Sequence, residues 1–388
     1  KRPVVIAGWG VHLAKVEESF LEFVESLNLP VALTWGAADL MPENHPLNLG
    51  RFGTHGMRHT NFAVQNADMI LSLGSRLDTK ATGSPVNTFA PFAYKVMVDI
   101  DANELAKFER FDLRLDLILQ TDLREFFQHF TPQDLLTARY PTSDWFSQND
   151  RWKTVFTEFD SKARAELASG VDPYFLLSEL SASCPADTLV LVDTGCSIAW
   201  AMQAWRFKLG QRMFHDFNNT AMGWALPAAV GAWFASGGTQ PLICVVGDGS
   251  FMMSVQELAT VMHHSIPVKI ILVNNSGYAM IRQTQDQWLD SNYVASSNQG
   301  GLSFPRFSTL SEAFGLEYVL VDADCNLREK LEDVLAHPGA VLCEVVIPEE
   351  ARVIPQVKFG RPNEDMEPLM PRRMFAELMC LSADSVES

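Results

Sequence analysis

The sequence has little of what membrane proteins and nucleic-acid-binding proteins need. No uninterrupted apolar run reaches the roughly 18 residues that a transmembrane helix requires, so we expect no membrane-spanning segment. Positive charge is scarce as well, since 30 Lys and Arg residues stand against 47 Asp and Glu residues and leave a formal net charge of −17. A surface of that sign repels phosphate backbones, which excludes nucleic acid as an expected partner.

Cysteines are also few, and their positions argue against two kinds of stabilising site. The chain has 6 Cys, and no two of them form a CxxC pair. Scattered cysteines of this kind argue against a disulfide framework and against a zinc site. They are typical of proteins in a reducing compartment, and we therefore expect the protein to be cytoplasmic.

The residues that are present predict an ordered protein of more than one domain. Hydrophobic residues make up 47% of the 388 positions, and 25 Phe and 9 Trp are available for cores. Short apolar segments alternate with helical patterns in two successive series. The predicted strands are Val4–Ala7, Leu29–Thr34, Met69–Leu73 and Tyr94–Ile100, followed by Thr188–Val192, Leu242–Val246, Lys269–Val273, Leu316–Val321 and Ala340–Val346. Apolar strands without alternation, joined by helices, predict an α/β fold of two doubly wound domains with mainly parallel sheets and helices on both faces.

This pattern divides the chain into four segments. We predict a first domain over 1–130, a linker over 131–170 with a helix near Trp145–Leu167, a second domain over 171–350, and a tail with a short helix over 351–388. The linker is inferred from the lack of strand signals and from two prolines. In the second domain, Ser254-x-x-Glu257 predicts a capping box at the start of a helix.

Two of the predicted strands in the second domain lead into polar loops. One is followed by Gly247-Asp248-Gly249-Ser250 and the next by Asn274-Asn275-Ser276-Gly277-Tyr278. Ligands of open α/β sheets bind at the carboxyl ends of strands. If the two strands are neighbours, the Asp248 carboxylate, the Asn275 amide oxygen and the Gly277 carbonyl surround one point. Three hard oxygen ligands of this kind suit Mg²⁺ or Ca²⁺.

This succession of GDG and NN resembles the cofactor fingerprint of the thiamine-diphosphate (ThDP) enzymes. The resemblance runs the whole length of the chain and is closest to the acetolactate (acetohydroxyacid) synthase group. The segments that carry it are 43–50, 53–56, 67–68, 82–83 and 99–101 in the first domain and 193–195, 220–223, 226–229 and 280–283 in the second. The first domain is therefore similar to the central domain of that group, and the domain that follows it is similar to the group's diphosphate-binding domain.

The resemblance implies a role for each matching residue. Asp248, Asn275 and the Gly277 carbonyl would bind Mg²⁺, which bridges the diphosphate of ThDP. The implied cofactor-binding residues are Gly195, Cys196, Ser197, Thr220, Met222, Gly249, Ser250 and Tyr278, and Met280 would line the substrate pocket. FAD binding, which the central domain of the group provides, is left open by a partial match at Gly53, His55, Gly56, Gly74, Arg76 and Asp99.

The implied reaction decarboxylates a pyruvate-like 2-keto acid and ligates the remaining fragment to a second carbonyl. Two departures from the group leave that acceptor open. Lys80 stands where the group carries an Arg, and it keeps the charge without the bidentate fork. Thr284 stands where the group carries a Trp that favours one acceptor. An aldehyde, a second keto acid and a keto-sugar all remain candidates.

The resemblance also implies a partner domain. In this superfamily a glutamate from a pyrimidine-binding domain activates ThDP, and no segment of this sequence resembles that domain. The sequence opens at Lys1-Arg2-Pro3, directly before a predicted strand. We therefore expect the pyrimidine-binding domain in another chain or in a missing segment, within a homodimer or tetramer. The alternatives are a simple 2-keto-acid decarboxylase, which often carries Glu where this chain has Ile281, and a non-catalytic ThDP-fold binding module.

Overall fold

The computed structural model describes residues 1–130, 143–164 and 170–379. They form two compact units, one of residues 1–164 with 354–379 and one of residues 170–353. Each unit holds a six-stranded parallel sheet with helices, which confirms the predicted α/β doubly wound fold. Of the predicted linker, 131–142 and 165–169 lie outside the described residues. No helix within the described ranges is both long enough and apolar enough to cross a membrane.

The first unit is built on a sheet of six strands. These are β1 Pro3–Ala7, β2 Val31–Leu33, β3 Asn48–Arg51, β4 Met69–Leu73, β5 Tyr94–Asp99 and β6 Leu117–Gln120. Their order in the sheet is β3-β2-β1-β4-β5-β6, and every neighbouring pair is parallel. The sequence did not predict β3 or β6, because β3 reads Asn-Leu-Gly-Arg and β6 is a mostly exposed edge strand.

Helices cover this sheet and complete the first core. They are α1 Gly10–Ala14, α2 Glu17–Leu27, α3 Arg58–Gln65, α4 Thr79–Thr82, α5 Ala102–Ala106, α6 Leu123–Gln128 and α7 Ser143–Arg164. Lys15 adopts a left-handed conformation with φ 55° and ends α1, so that α1 and α2 are separate helices. The aromatic ring of Phe62 on α3 packs against Phe156 on α7, with centroids 4.5 Å apart.

The second unit repeats the architecture with a different strand order. Its strands are β7 Leu189–Val192, β8 Arg212–Phe214, β9 Leu242–Gly247, β10 Lys269–Asn274, β11 Glu317–Val321 and β12 Val341–Val346. They follow the order β11-β12-β10-β9-β7-β8, again all parallel. Strands β9 and β10 are neighbours, with Gly247 paired to Val273, so the two polar loops leave the same edge of the sheet.

The helices of the second unit place the site loops. They are α8 Pro173–Ser183, α9 Cys196–Ala204, α10 Ala225–Ala235, α11 Asp248–Met253, α12 Glu257–His263, α13 Ala279–Trp288, α14 Phe307–Phe314 and α15 Leu327–Ala336. The predicted capping box at Ser254 is wrong. Asp248 itself begins α11, and Ser254 ends it, while α12 begins only at Glu257 without a side-chain cap. The Ser254 hydroxyl is buried and has no hydrogen-bond partner among the described residues.

The described part of the tail belongs to the first unit. It contains β13 Gln356–Val357, paired antiparallel with β14 Met366–Glu367, and then α16 Arg372–Leu378. The Trp152 indole donates to the Leu378 carbonyl at 3.0 Å, and the Asn61 amide donates to the Asn363 carbonyl at 2.9 Å. We predicted a separate segment from 351 onward, because the sequence does not show that Met370 and Leu378 join the first core.

Candidate functional site

Asp248 lies at the carboxyl end of β9 and is almost completely buried, with 2% of its surface exposed. Its carboxylate accepts three backbone hydrogen bonds, from Gly249 N–H at 2.7 Å, Asn275 N–H at 3.2 Å and Gly277 N–H at 3.0 Å. Burial raises the pKa of Asp248 to about 7, against the opposing effect of these hydrogen bonds. A bound cation would favour the ionised form that burial disfavours.

Asn275 lies beside that carboxylate and offers a side-chain oxygen as a ligand. Its side-chain Oδ1 is buried and has no hydrogen-bond partner among the described residues. An unsatisfied buried acceptor costs about 1–3 kcal/mol, and a metal ion would satisfy it. The structure thus brings together Asp248, Asn275 and Gly277, the three residues predicted to hold the metal.

Two helices begin at this edge of the sheet, and the first N–H groups of a helix have no partner within the helix. Gly195, with φ 82°, precedes α9, and Cys196 and Ser197 form the first turn of that helix. Helix α11 begins with Asp248, Gly249 and Ser250. Helix N-termini attract anions, so the arrangement suits a diphosphate. Burial raises the pKa of Cys196 to about 12, which leaves the thiol neutral.

Tyr278 and Met280 lie close to these helix starts. A Cβ atom added to Gly249 would stand 2.0 Å from Cε1 of Tyr278, so the ring occupies the space that glycine leaves. A Cβ added to Gly195 would stand 3.9 Å from Cβ of Met280. Met280 is therefore adjacent to the loop that begins α9, as the predicted substrate pocket requires.

The loop over 220–223 contains the remaining residues that were predicted to bind the cofactor. Thr220 has φ 54°, which is uncommon for a β-branched residue, and Gly223 has φ 82°. Met222 is 39% exposed. The loop is fixed to the sheet by Asp193, whose carboxylate accepts from Gly223 N–H at 3.2 Å and from Ala225 N–H at 2.8 Å.

The residues suggested for FAD lie together in the first unit, at the carboxyl end of its sheet. Gly53, His55 and Gly56 follow β3, Gly74 and Arg76 follow β4, and Asp99 ends β5. Burial, followed by the charge of Lys80, lowers the pKa of His55 to about 4. The Asp99 carboxylate accepts from Asp101 N–H at 2.9 Å.

The glycines of this group are explained by contacts within the protein. A Cβ at Gly53 would stand 2.4 Å from the Lys80 carbonyl oxygen, and one at Gly74 would stand 2.7 Å from Cα of Gly10. None of the six residues carries a buried polar side-chain atom that lacks a partner. These positions give no sign of a required ligand, and FAD binding stays a prediction.

Comparison with known families decides the assignment. The model for the central domain of thiamine pyrophosphate enzymes matches residues 1–129, and the model for their C-terminal, thiamine-pyrophosphate-binding domain matches residues 193–345. The chain belongs to the thiamine pyrophosphate enzyme family. Thiamine pyrophosphate is the ThDP of the predicted site.

Relatives place the chain in the acetolactate synthase-like group of that family. It is 30% identical, over 94% of its length, to acetolactate synthase isozyme 1 large subunit of Escherichia coli K12, and covers 62% of that protein. It is 31% identical, over 92% of its length, to a probable chloroplastic acetolactate synthase 2 of rice, Oryza sativa, and covers 54% of it. For the acetolactate synthase large subunit of Lactococcus lactis the identity is 30% over 94% of the chain and 61% of the relative. The chain thus spans roughly three fifths of the length of these relatives.

The donor set of this family member fits Mg²⁺. One buried carboxylate, one buried amide oxygen without a partner and a nearby carbonyl are the hard ligands that Mg²⁺ prefers. Within the described ranges, no three His, Cys, Asp or Glu side chains come close enough to hold a metal. The assignment of each ligand stays a prediction.

Two supporting residues were not among the predicted site residues. Asp193 anchors the 220–223 loop; it lies in segment 193–195, which carries the family resemblance, but the sequence assigned it no role. Arg282 is 2% exposed, and its Nη2 donates to the Asn275 carbonyl at 3.1 Å. Arg282 lies in segment 280–283, which carries the family resemblance, but the sequence assigned it no role, because its partner is set by the way that α13 folds back on the preceding loop.

Proposed function

We propose that this chain is the central and diphosphate-binding part of a ThDP- and Mg²⁺-dependent enzyme, which decarboxylates a pyruvate-like 2-keto acid and ligates the product to a second carbonyl. The observation that carries the proposal is the buried, unpartnered Oδ1 of Asn275 beside the Asp248 carboxylate. The names of the relatives, acetolactate synthase large subunits, support the same reaction type.

The residues of this chain have defined tasks in the proposal. Bound ThDP supplies the electron sink for decarboxylation. Asp248 and Asn275 hold Mg²⁺, and the N–H groups that begin α9 and α11 bind the diphosphate. Asp193 keeps the 220–223 loop in place, and Met222 on that loop supports the cofactor. Met280 orients the substrate in the proposal.

The activating glutamate comes, in this proposal, from a pyrimidine-binding domain outside these 388 residues. Helix α10 supports the presence of such a partner, since its sequence Ala225–Ala235 has no polar side chain. Its outward positions include Pro227, Gly231 and Phe234, the last 56% exposed. Exposed apolar surface of this kind marks interaction sites. A homodimer or a tetramer would cover it.

The chain differs from its group at two positions that bear on the acceptor carbonyl. Lys80 replaces the group's Arg, and burial lowers the pKa of its ammonium group. Thr284 is exposed, and its hydroxyl donates to the Met280 carbonyl at 3.0 Å, so no bulky side chain fills that position. Each of these replacements, one in each unit, removes a residue by which the group selects its acceptor, so the acceptor stays open. A cytoplasmic location completes the proposal, supported by five free cysteines in the described part of the chain, whereas FAD binding stays a prediction.

The decisive experiment measures Mg²⁺-dependent binding of ThDP by isothermal titration calorimetry. Asp248→Ala should lower the affinity at least about 100-fold, because a buried charged ligand is lost. Asp187→Ala is the matched control, since Asp187 is an exposed residue of the same unit. Equal binding by both variants would refute the metal site and favour a non-catalytic module.

Product analysis tests the reaction class. The chain is combined with a pyrimidine-binding domain, supplied with pyruvate and with candidate acceptors, and the products are identified by mass spectrometry. A ligated hydroxyketone supports the proposal, whereas free aldehyde alone identifies a simple decarboxylase. Full-rate turnover by the 388-residue chain alone would refute the need for the partner domain.

A further inference from the structure

Glu344 approaches the metal-binding loop from the neighbouring strand of the sheet. It lies on β12, which pairs with β10, and is 9% exposed. One carboxylate oxygen accepts from the Asn274 side-chain amide at 2.6 Å, and the other accepts from the Tyr318 hydroxyl at 2.6 Å. No ion pair to Glu344 occurs within the described ranges. Two neutral donors therefore bind a buried carboxylate. Burying a charged group without an ion pair costs folding free energy, so we expect this carboxylate to have a function.

Asn274 connects Glu344 to the turn that contains Asn275. Its side-chain oxygen accepts from Ser276 N–H at 3.0 Å. Ser276 has φ 56°, a conformation that a non-glycine residue keeps only when its surroundings hold it. The Asn274 carbonyl accepts from Ile347 N–H at 2.8 Å, which ties the same residue to the end of β12.

The backbone on either side of the Asn275 side chain is thus fixed at several points. Its N–H donates to Asp248, and its carbonyl accepts from Arg282. The N–H groups of the two residues that follow it donate to Asn274 and Asp248. The buried side-chain oxygen of Asn275 is left without a partner among the described residues.

We infer that Glu344 is a positioning residue for the metal: through Asn274 and the Ser276 turn, it fixes the place of the Asn275 ligand oxygen. The inference rests on the proposed function, in which Asn275 binds Mg²⁺. Mg²⁺ demands near-ideal octahedral geometry, with ligands at about 2.0–2.1 Å, whereas Ca²⁺ accepts varied geometry at about 2.3–2.6 Å. A rigidly held loop therefore favours Mg²⁺ over Ca²⁺, and a loosened loop loses that preference.

The test compares the affinities for two cations in the 388-residue chain. Mg²⁺ or Ca²⁺ is titrated calorimetrically in the presence of excess ThDP. Glu344→Leu should weaken Mg²⁺ binding about tenfold or more, the usual loss when an outer partner of a metal ligand is removed. Ca²⁺ binding should change less than about threefold, because Ca²⁺ tolerates a looser site. Glu344→Gln keeps one acceptor oxygen for Asn274 and should restore most of the Mg²⁺ affinity.

Two further variants distinguish the loss of the link between Glu344 and Asn274 from a general failure to fold. Tyr318→Phe removes only the outer hydrogen bond of Glu344 and should leave the Mg²⁺ to Ca²⁺ ratio nearly unchanged. Asn274→Ala removes the second link and should reproduce the loss of selectivity even if Glu344→Leu does not fold. Equal weakening of both cations, or no change, in the folded variants overturns the inference and leaves the proposed metal site intact. Failure of the unchanged chain to bind either cation with ThDP overturns the proposed function and the inference with it.

Discussion

The two units share an architecture but differ at the carboxyl ends of their strands. In the first unit, the turn glycines are closely packed by the protein's own backbone, as Gly53 is by the Lys80 carbonyl. In the second unit, Asn275 keeps a buried oxygen without a partner among the described residues, next to a buried carboxylate. The carboxyl edge of the first sheet is thus closely packed by the protein's own backbone. The carboxyl edge of the second sheet instead carries a buried polar atom without a partner among the described residues. Buried polar groups without a hydrogen-bond partner, rather than turn glycines, identify the candidate binding site.

The largest expected effect is on the pH dependence of the second unit. The folded-state pKa of Asp248, about 7, lies above its ordinary value of 3.8, so folding favours the protonated form. The stabilisation is complete below about pH 4 and is lost as the pH rises through about 7, by on the order of 4 kcal/mol. Chemical denaturation without metal, at pH 4 to 8, measures this decline in the free energy of unfolding. Asp248→Asn should remove most of it, and an equal decline in that variant would contradict the assignment.

The next effect tests whether the first unit's glycines are structural. Gly53→Ala places a Cβ 2.4 Å from the Lys80 carbonyl oxygen at a residue with φ 112°. We expect a loss of about 2–3 kcal/mol in the free energy of unfolding of the first unit, from steric clash and backbone strain. The affinity for Mg²⁺ and ThDP should stay unchanged in calorimetry. A selective loss of that affinity, with stability intact, would remove the contrast between the units.

A smaller effect is expected at Asp193. Asp193→Asn leaves the side-chain volume nearly unchanged. It replaces the carboxylate, whose two oxygens accept from the N–H groups of Gly223 and Ala225, by an amide with a single acceptor oxygen. Loosening of the 220–223 loop should weaken ThDP binding about tenfold, equivalent to about 1.4 kcal/mol. The affinity of ThDP is measured at saturating Mg²⁺, so that metal binding does not limit the result. Unchanged ThDP affinity would show that the loop does not contact the cofactor.

The smallest effect is a gain in stability on helix α10. No heavy atom lies within 4 Å of a Cβ added to Gly231, and the residue has ordinary helical conformation. Gly231→Ala should raise the free energy of unfolding by up to about 1 kcal/mol through helix propensity. Thermal denaturation of the isolated chain measures it. The same variant should weaken assembly with a partner domain if α10 is the covered face, whereas unchanged assembly would exclude this position from the interface.

The sequence was sufficient for the fold class and for the residues that meet at the site. Regular apolar strands predicted both sheets, and the GDG and NN loops predicted that Asp248 and Asn275 would meet once β9 and β10 proved adjacent. Three strands of the two six-stranded sheets were missed: β3 and β8, which are short and include polar or charged residues, and β6, a mostly exposed edge strand. Ser254 was wrongly given a capping role, because a local Ser-x-x-Glu pattern does not show where the preceding helix ends.

Long-range partners account for the other omissions. Glu344 lies 70 positions from Asn274, and nothing near either residue in the sequence indicates their hydrogen bond. Arg282 follows its loop closely in the sequence, but its burial depends on the surrounding packing. Such supporting contacts follow from strand order and register, which a single sequence specifies only through the completed fold.

The return of the tail to the first unit has a consequence for biosynthesis. Residues 170–353 form one continuous stretch, so the second unit has all of its sequence as soon as that stretch has been translated. The first core includes Met370 and Leu378 together with Val4, and it is not complete until Leu378 has left the ribosome, well after the second unit. Of these two units, the first is therefore the later to finish folding, and its unfinished core stays exposed to chaperones and aggregation for longer.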